Sequence, residues 1–191
     1  MYKKYTIPLS IFVVYENVNS VVWTSQGLGP NNYALYINCK WVYSLNAFFK
    51  NEVFLSNSTL VENSAIDNKN LNIILNNFFF FKNTHITIFY LYYFFNFKTR
   101  LLLLTLSNNC NLRQLPSIDK IYKSGSWLER ETGEMFKITY YHKTDNRRLL
   151  LDYSKQENPL LKDYPTEGFN DVFYNFFEDQ VVYNSSTVVE L

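Results

Sequence analysis

The residues best able to do chemistry crowd into one run, Glu129-Arg130-Glu131-Thr132-Gly133-Glu134. Three carboxylates so close suggest general acid–base work, in which one carboxyl gives a proton and another takes one. That work needs the carboxyls to converge on one centre. On a helix Glu129 and Glu131 stand about 200° apart, so their spacing alone does not bring them together. Arg130 and Glu134, at i and i+4, do share a face, and the spacing predicts an ion pair between them. The run reads first as an ion-pair network at a helix surface or at an interface with another chain. The second reading is a stand-alone hydrolase using Glu129, Glu131 and Glu134.

The other candidates carry less. Arg147-Arg148 could grip a phosphate or a nucleic-acid backbone, but Asp145 and Asp152 flank them and predict salt bridges instead. His85 and His142 are the only histidines. His85 lies in an aromatic run and is expected in the core, and no set of two or three metal ligands assembles around His142. Cys39 and Cys110 are the only cysteines, with no C-x-x-C. That excludes an iron–sulfur cluster or structural zinc held by this chain's cysteines, and two separate core thiols are expected ahead of a disulfide between them. Gly27-Leu28-Gly29-Pro30 lacks the third glycine and the preceding strand of a phosphate cradle.

The elements that must position these residues follow from composition and period. A chain of 191 residues with 47% apolar and 18% charged side chains is a globular domain, with room for a long arm. A net charge of +1 gives no drive toward nucleic acid or an acidic membrane. Residues 1–115 carry nine basic and four acidic side chains, whereas 116–191 carry nine and thirteen. The shift near Pro116 suggests two parts with two jobs. Tyr33 to Ile37 predicts a strand. Trp41, Leu45, Phe48 and Phe49 fall on one face of a helix spanning 40–53. Ser58 to Ile66 predicts another strand, and Leu71 to Phe81 is left open between helix and strand. Residues 84–106 are aromatic and β-branched and too short between Lys82 and Lys98 to span a bilayer. They predict a strand over 84–95, a turn at Asn96-Phe97-Lys98 and a returning strand over 99–106.

Ser117, after Pro116 and before Asp119, predicts the capped start of a helix running to about Phe136. Gly125 and Gly133 inside that helix would allow close approach of another backbone. After Tyr141 no period persists. Tyr153, Tyr164, Phe169, Phe173, Tyr174, Phe176 and Phe177 are too apolar for a free tail and need a surface to bury against. The expected fold class is α+β: a two-layer domain with a mixed β-sheet and helices on one face, followed by an extended C-terminal arm. The domain is placed at 1–138 and the interaction arm at 139–191.

From residue 115 onward the chain resembles a known family. Leu115-Pro116-Ser117-Ile118, Trp127, Glu129-Arg130-Glu131 and Glu134-Met135-Phe136 match the 30 kDa subunit family of respiratory complex I. This family includes NADH dehydrogenase subunit 9 and its bacterial counterpart. Lys143, Arg147 and the pair Leu149-Leu150 fill the later places of its signature at the right spacings. Arg147-Arg148-Leu149-Leu150 leading to Asp152-Tyr153, then Pro159-Leu160, Lys162-Asp163-Tyr164-Pro165 and Gly168-Phe169, continue the likeness to about residue 170. Three places where the family has glycine hold Lys137, His142 and Ser154 here.

The resemblance implies a non-catalytic subunit that binds no cofactor or metal of its own. It implies membership of a complex using FMN, iron–sulfur clusters and ubiquinone, in the peripheral arm beside the quinone-site and terminal-cluster subunits. Neither nucleic acid nor a membrane span is implied. The implied location is the matrix side of the mitochondrial inner membrane. The heavy use of Phe, Tyr and Asn reflects AT-rich coding, as in organelle genomes, and the first arginine is Arg100. An Arg-rich import leader is therefore not expected, and synthesis inside the organelle is. A homologous subunit of an energy-converting hydrogenase or plastid-type complex is the alternative. Glu129, Arg130 and Glu131 are expected to form a buried, paired network.

Overall fold

The computed structural model describes residues 22–23, 32–69, 86–106, 114–153 and 157–185. Its centre is the aromatic strand expected over 84–95. β4 (Ile86–Phe94) buries Ile86, Ile88, Tyr90, Tyr92 and Phe94 to 1% exposure or less, while the alternate residues Phe89, Leu91 and Tyr93 are half-buried. Period-two burial of this kind is what a pleated strand with one fully covered face produces. β4 turns through 95–98 into β5 (Thr99–Leu106), with Lys98 at φ 52. Among the described residues no helix is long and apolar enough to cross a membrane.

Five strands form one mixed sheet in the order β1-β2-β5-β4-β3, with β1 at Val22–Trp23, β2 at Asn32–Asn38 and β3 at Ser58–Asp67. β2 and β5 are parallel, pairing Leu35 with Leu103, and the other pairs are antiparallel. β2 and β3 thus run in the same direction with the β4–β5 hairpin inserted between them. The crossover from β2 to β3 carries α1 (Val42–Asn51), entered through a 3-10 turn at Cys39–Trp41. α1 lays Val42, Leu45, Asn46 and Phe49 on the sheet. Trp41, expected on that face, is 40% exposed. It sits in the tighter turn before the helix, where the 3.6-residue period does not yet hold.

Cys39 is buried and disulfide-bonded, which corrects the expectation of two separate thiols. Spacing along the chain carries no information about which sulfurs meet in space. Cys110, the other cysteine, lies outside the described residues, as do His85, residues 71–81 and Ser154.

A second unit follows. β6 (Gln114–Pro116) and β7 (Thr139–Tyr141) pair in parallel, and α2 (Gly125–Phe136) connects them. The predicted helix start at Ser117 is displaced by eight residues. Residues 118–122 instead form turns closed by the N–H groups of Ile121 and Tyr122 on the Ile118 carbonyl. Leu115, Ile118, Tyr122, Phe136, Ile138 and Tyr140 join the same core as α1. The Tyr122 ring packs 5.5 Å from that of Tyr92, so both helices lie on one face of the sheet. β8 (Asn170–Asn175) and β9 (Gln180–Ser185) form a separate antiparallel hairpin inside the segment expected to lack regular elements.

Phe49 meets Tyr92 and Phe94 edge-on, at centroid distances of 5.6 and 5.4 Å. Truncating it leaves a cavity at the helix–sheet junction. Phe49→Ala is expected to lower the unfolding free energy by about 3–5 kcal/mol in urea titration, and a loss under about 1 kcal/mol would contradict this packing.

Candidate functional site

α2 is anchored through its polar side chains. On the inner face the Glu129 carboxylate is completely buried and accepts three bonds: from the Ser117 hydroxyl at 2.7 Å, the Ile118 N–H at 2.7 Å and Lys143 Nζ at 2.8 Å. Lys143 is equally enclosed, and its ammonium also donates to the Ser126 carbonyl at 3.0 Å. Burial pushes the Glu129 carboxyl up, while these donors and the lysine charge favour its ionised form. Burial and then the Glu129 charge push the Tyr140 hydroxyl up. The use of Ser117 by Glu129 explains why it does not cap a helix. Ser124, the residue before α2, likewise gives its hydroxyl to the Leu60 carbonyl of β3, and Thr132 gives its own to Asn63.

On the outer face Arg130 and Glu134 do not pair with each other as predicted. Arg130 Nε and Nη2 donate to the carbonyls of Arg147 and Arg148 at 2.7 and 2.9 Å. The Glu134 carboxylate accepts the backbone N–H groups of Leu149, Leu150 and Leu151. The two side chains grip five consecutive residues of a strap that has no ladder of its own. Asp145 sits between Arg147, at 2.9 Å, and Arg130, at 3.5 Å. The hydrogen bonds from Arg147 hold its carboxyl far below the usual range.

The strap is stitched along its length. Asp119 accepts the N–H and hydroxyl of Thr144 at 2.9 and 2.6 Å; against the effect of burial, these bonds hold its carboxyl low. Asn158 donates to the Glu134 carbonyl, and the Leu160 N–H to that of Met135, which caps the last turn of α2. Farther on, the Lys162 N–H reaches Asp67 at 2.9 Å and Asp163 pairs with Lys69, both at the end of β3. The Gly168 N–H closes a turn on the Pro165 carbonyl. Residues 139–141 are part of a sheet, and bonds to the globular part run through 143–151 and recur at 158–163. Between strap and helix lies a cleft of about 450 Å³ lined by Lys137, Tyr140, Arg148, Leu151 and Glu157 among others.

The expected network of Glu129, Arg130 and Glu131 is therefore two separate anchors. Glu131 is exposed and joins neither, because its position a half-turn from Glu129 turns it outward. Arg148 meets the Asp152 carbonyl. Trp127 and Tyr153 are exposed at 65% and 69%, with the Arg130 guanidinium 5.9 Å from the Trp127 ring, and Pro159 is half-buried. The sequence carries no sign of the roles of Asp67, Lys69 and Asn158, none of which stands at a helical or strand spacing from its partner, and Ser117, expected to cap a helix, serves Glu129 instead. Among the described residues no group of three His, Cys, Asp or Glu could hold a metal ion.

A family model described as respiratory-chain NADH dehydrogenase, 30 kDa subunit, matches residues 36–170, which include both helices, the strap and every anchor on α2. The chain belongs to this 30 kDa subunit family. NADH-ubiquinone oxidoreductase subunit 9 of Paramecium primaurelia is 33% identical over 189 residues, covering 98% of this chain and 88% of that protein. The corresponding bacterial NADH-quinone oxidoreductase subunit, from Rhodobacter capsulatus, is 43% identical over 68 residues, 36% of this chain and 34% of that one. A trypsin-resistant fragment of Nqo5, residues 1–134, shares the fold at a TM-score of 0.55 and 14% identity, over 72% of this chain and 96% of that one. A chain of the archaeal membrane-bound sulfane sulfur reductase complex does so at 0.59 and 13%, over 82% of each.

The departures from the 30 kDa signature now have a geometry. Lys137 and His142, which stand where the resemblance to the family implies glycine, hold φ of 56° and 63°. This is the left-handed region that favours glycine, and Lys137 closes α2 there. Of the two helix glycines, Gly133 is required, because a Cβ would lie 2.9 Å from the Ile138 carbonyl, whereas one at Gly125 would make ordinary contacts.

Lys137→Gly is expected to raise the unfolding free energy by about 1 kcal/mol, read as a higher midpoint in denaturant. Lys143→Met leaves Glu129 buried without its cation and is expected to cost about 3–5 kcal/mol near neutral pH. Burial raises the Glu129 pKa in the folded state, so the penalty attaches to the charged form. It should shrink as pH falls through that pKa and Glu129 protonates. A deficit that grew toward acid pH would contradict the buried pair.

Proposed function

We propose that the chain is a structural, cofactor-free subunit of the peripheral arm of respiratory complex I. In that role it supports the quinone-reducing module during electron transfer from NADH to ubiquinone. Its place is on the matrix side of the mitochondrial inner membrane, beside the quinone-site and terminal-cluster subunits, and its gene belongs to the organelle genome. The observation that carries this reading is the match to NADH-ubiquinone oxidoreductase subunit 9 over 98% of the chain. The geometry agrees. Glu129 is occupied by Lys143 and two further donors, Glu134 by three backbone N–H groups, and Glu131 points elsewhere. Two acids committed to fastening the chain and a third turned outward do not make the converging pair that a hydrolase needs. The likeness to a chain of an archaeal respiratory membrane complex keeps a related energy-converting machine as the second reading.

Within this reading residues 139–191 are the interaction arm. Residues 143–151 and 158–163 are bonded back to the domain, and Trp127, Tyr153 and the β8–β9 hairpin are offered to neighbours. Native electrophoresis of solubilised mitochondria, followed by mass spectrometry of the bands, tests the assignment. The chain is expected in the high-mass band that oxidises NADH, and its appearance alone at low mass would overturn the assignment. Arg130→Ala, which releases the strap, is expected to reduce the amount of assembled complex while leaving the ubiquinone KM of the assembled remainder unchanged. Full assembly with an altered KM would speak for a direct role at the quinone instead.

A further inference from the structure

The five-stranded sheet has a second face. Ile88, Tyr90 and Tyr92 of β4 join the core beneath both helices, so the alternate residues of the strand point the other way. The register aligns Phe89 with Leu104 and Leu91 with Leu102 across the β4–β5 pair, and Thr87 with Ile66 across the β3–β4 pair. Phe89, Leu91, Tyr93, Leu102 and Leu104 are half-buried and Ile66 is exposed, so an apolar surface runs across three strands. A sheet with two apolar faces needs a layer on each.

One end of this face differs from the rest. Thr87 lies on it by register, yet it is buried to 2%. Asn68, the first residue beyond β3, is buried as well and donates its side-chain amide to the Thr87 hydroxyl at 2.6 Å. Asn68 thus lays the chain leaving β3 against this face. Residues 70–85 then lead back to β4. β3 and β4 are antiparallel neighbours about 4.8 Å apart, and roughly two to five residues would join them. This connection is far longer, and half of residues 70–85 are Leu71, Ile73, Ile74, Leu75 and Phe78 to Phe81, with Lys82 as the one lysine or arginine and no carboxylate. Eight residues out and eight back, at about 3.3 Å each, would reach roughly 26 Å, and Thr87 to Tyr93 spans only about 20 Å of β4.

We infer that residues 70–85 are the cover of this face. Their leucine, isoleucine and phenylalanine side chains lie against Phe89, Leu91, Leu102 and Leu104, and the face is closed to other subunits. A segment tethered at both ends competes at an effective concentration of about millimolar, which a free partner or a second copy would have to exceed.

A benzoylphenylalanine in place of Phe79 tests this, since on irradiation it bonds to the C–H groups it touches. The full chain is irradiated alone and mixed with solubilised mitochondria, and the adducts are mapped by mass spectrometry. They are expected on β4 or β5 of the same chain, at Phe89, Leu91, Leu102 or Leu104, in both samples. Adducts on other parts of this chain, on a second copy, on another protein or on lipid would overturn the proposal, as would a probe left unattached. The chain carrying Phe78→Ser, Phe79→Ser, Phe80→Ser and Phe81→Ser together is expected to bind an apolar dye such as ANS about threefold or more above the unmodified chain. Equal dye binding by the two would also overturn the proposal. The adduct map is read on a chain that keeps three of the four phenylalanines, so it decides the matter whether or not the serine variant folds.

Discussion

One turn of helix holds an irregular segment in place by copying what a neighbouring strand would do. Arg130 supplies donors to two consecutive carbonyls, and Glu134 supplies acceptors to the three N–H groups that follow. The backbone of 147–151 has no ladder of its own, and buried or half-buried peptide groups without partners are costly. A guanidinium and a carboxylate at i and i+4 satisfy five of them at once. The same constraint governs the far side of the helix. There Glu129 and Lys143 can be buried because each has further hydrogen-bond partners besides the other. The turn at Ser117 and Ile118, Lys143 and the strap of 147–151 depend on α2 presenting these two faces at a fixed rotation.

That rotation is fixed by the sheet. Thr132 and Ser124 bond to carbonyls of β3, and Gly133 lets the chain leaving the helix pass within contact of it. Tyr122 and Tyr140 wedge the unit onto the aromatic face of β4. A helix rolled by one residue would bury Arg130 in place of Glu129 and release the strap, so packing in the core and fastening at the surface are one specification.

The elements with a period were legible in the sequence. The β4–β5 hairpin, β2, β3 and α1 could be read because alternation and 3.6-residue spacing leave a local trace. The motif residues were legible as a cluster, but their partners were not. Arg130 and Glu134 are well spaced for each other, and a local rule pairs them; a strap arriving from fifteen residues away displaces that weak surface contact. Asp67, Lys69 and Asn158 carried no local signal, because what matters in them is where the chain returns. The start of α2 was misplaced for a similar reason: Ser117 has a capping residue's chemistry, and a distant carboxylate took it. The β8–β9 hairpin was hidden because its apolar residues face no core of their own.

The parallel pairing of β2 with β5 also has a temporal side. Leu35 meets Leu103 only after α1, β3 and β4 have been made. Closing so distant a pair costs loop entropy before any contact offsets it, and such topologies fold slowly. During synthesis β2 therefore waits with one edge open while the aromatic strand β4 emerges behind it. The interval before β5 arrives is when a chain this rich in phenylalanine and tyrosine is most exposed to mispairing, and holding factors at the ribosome would act there.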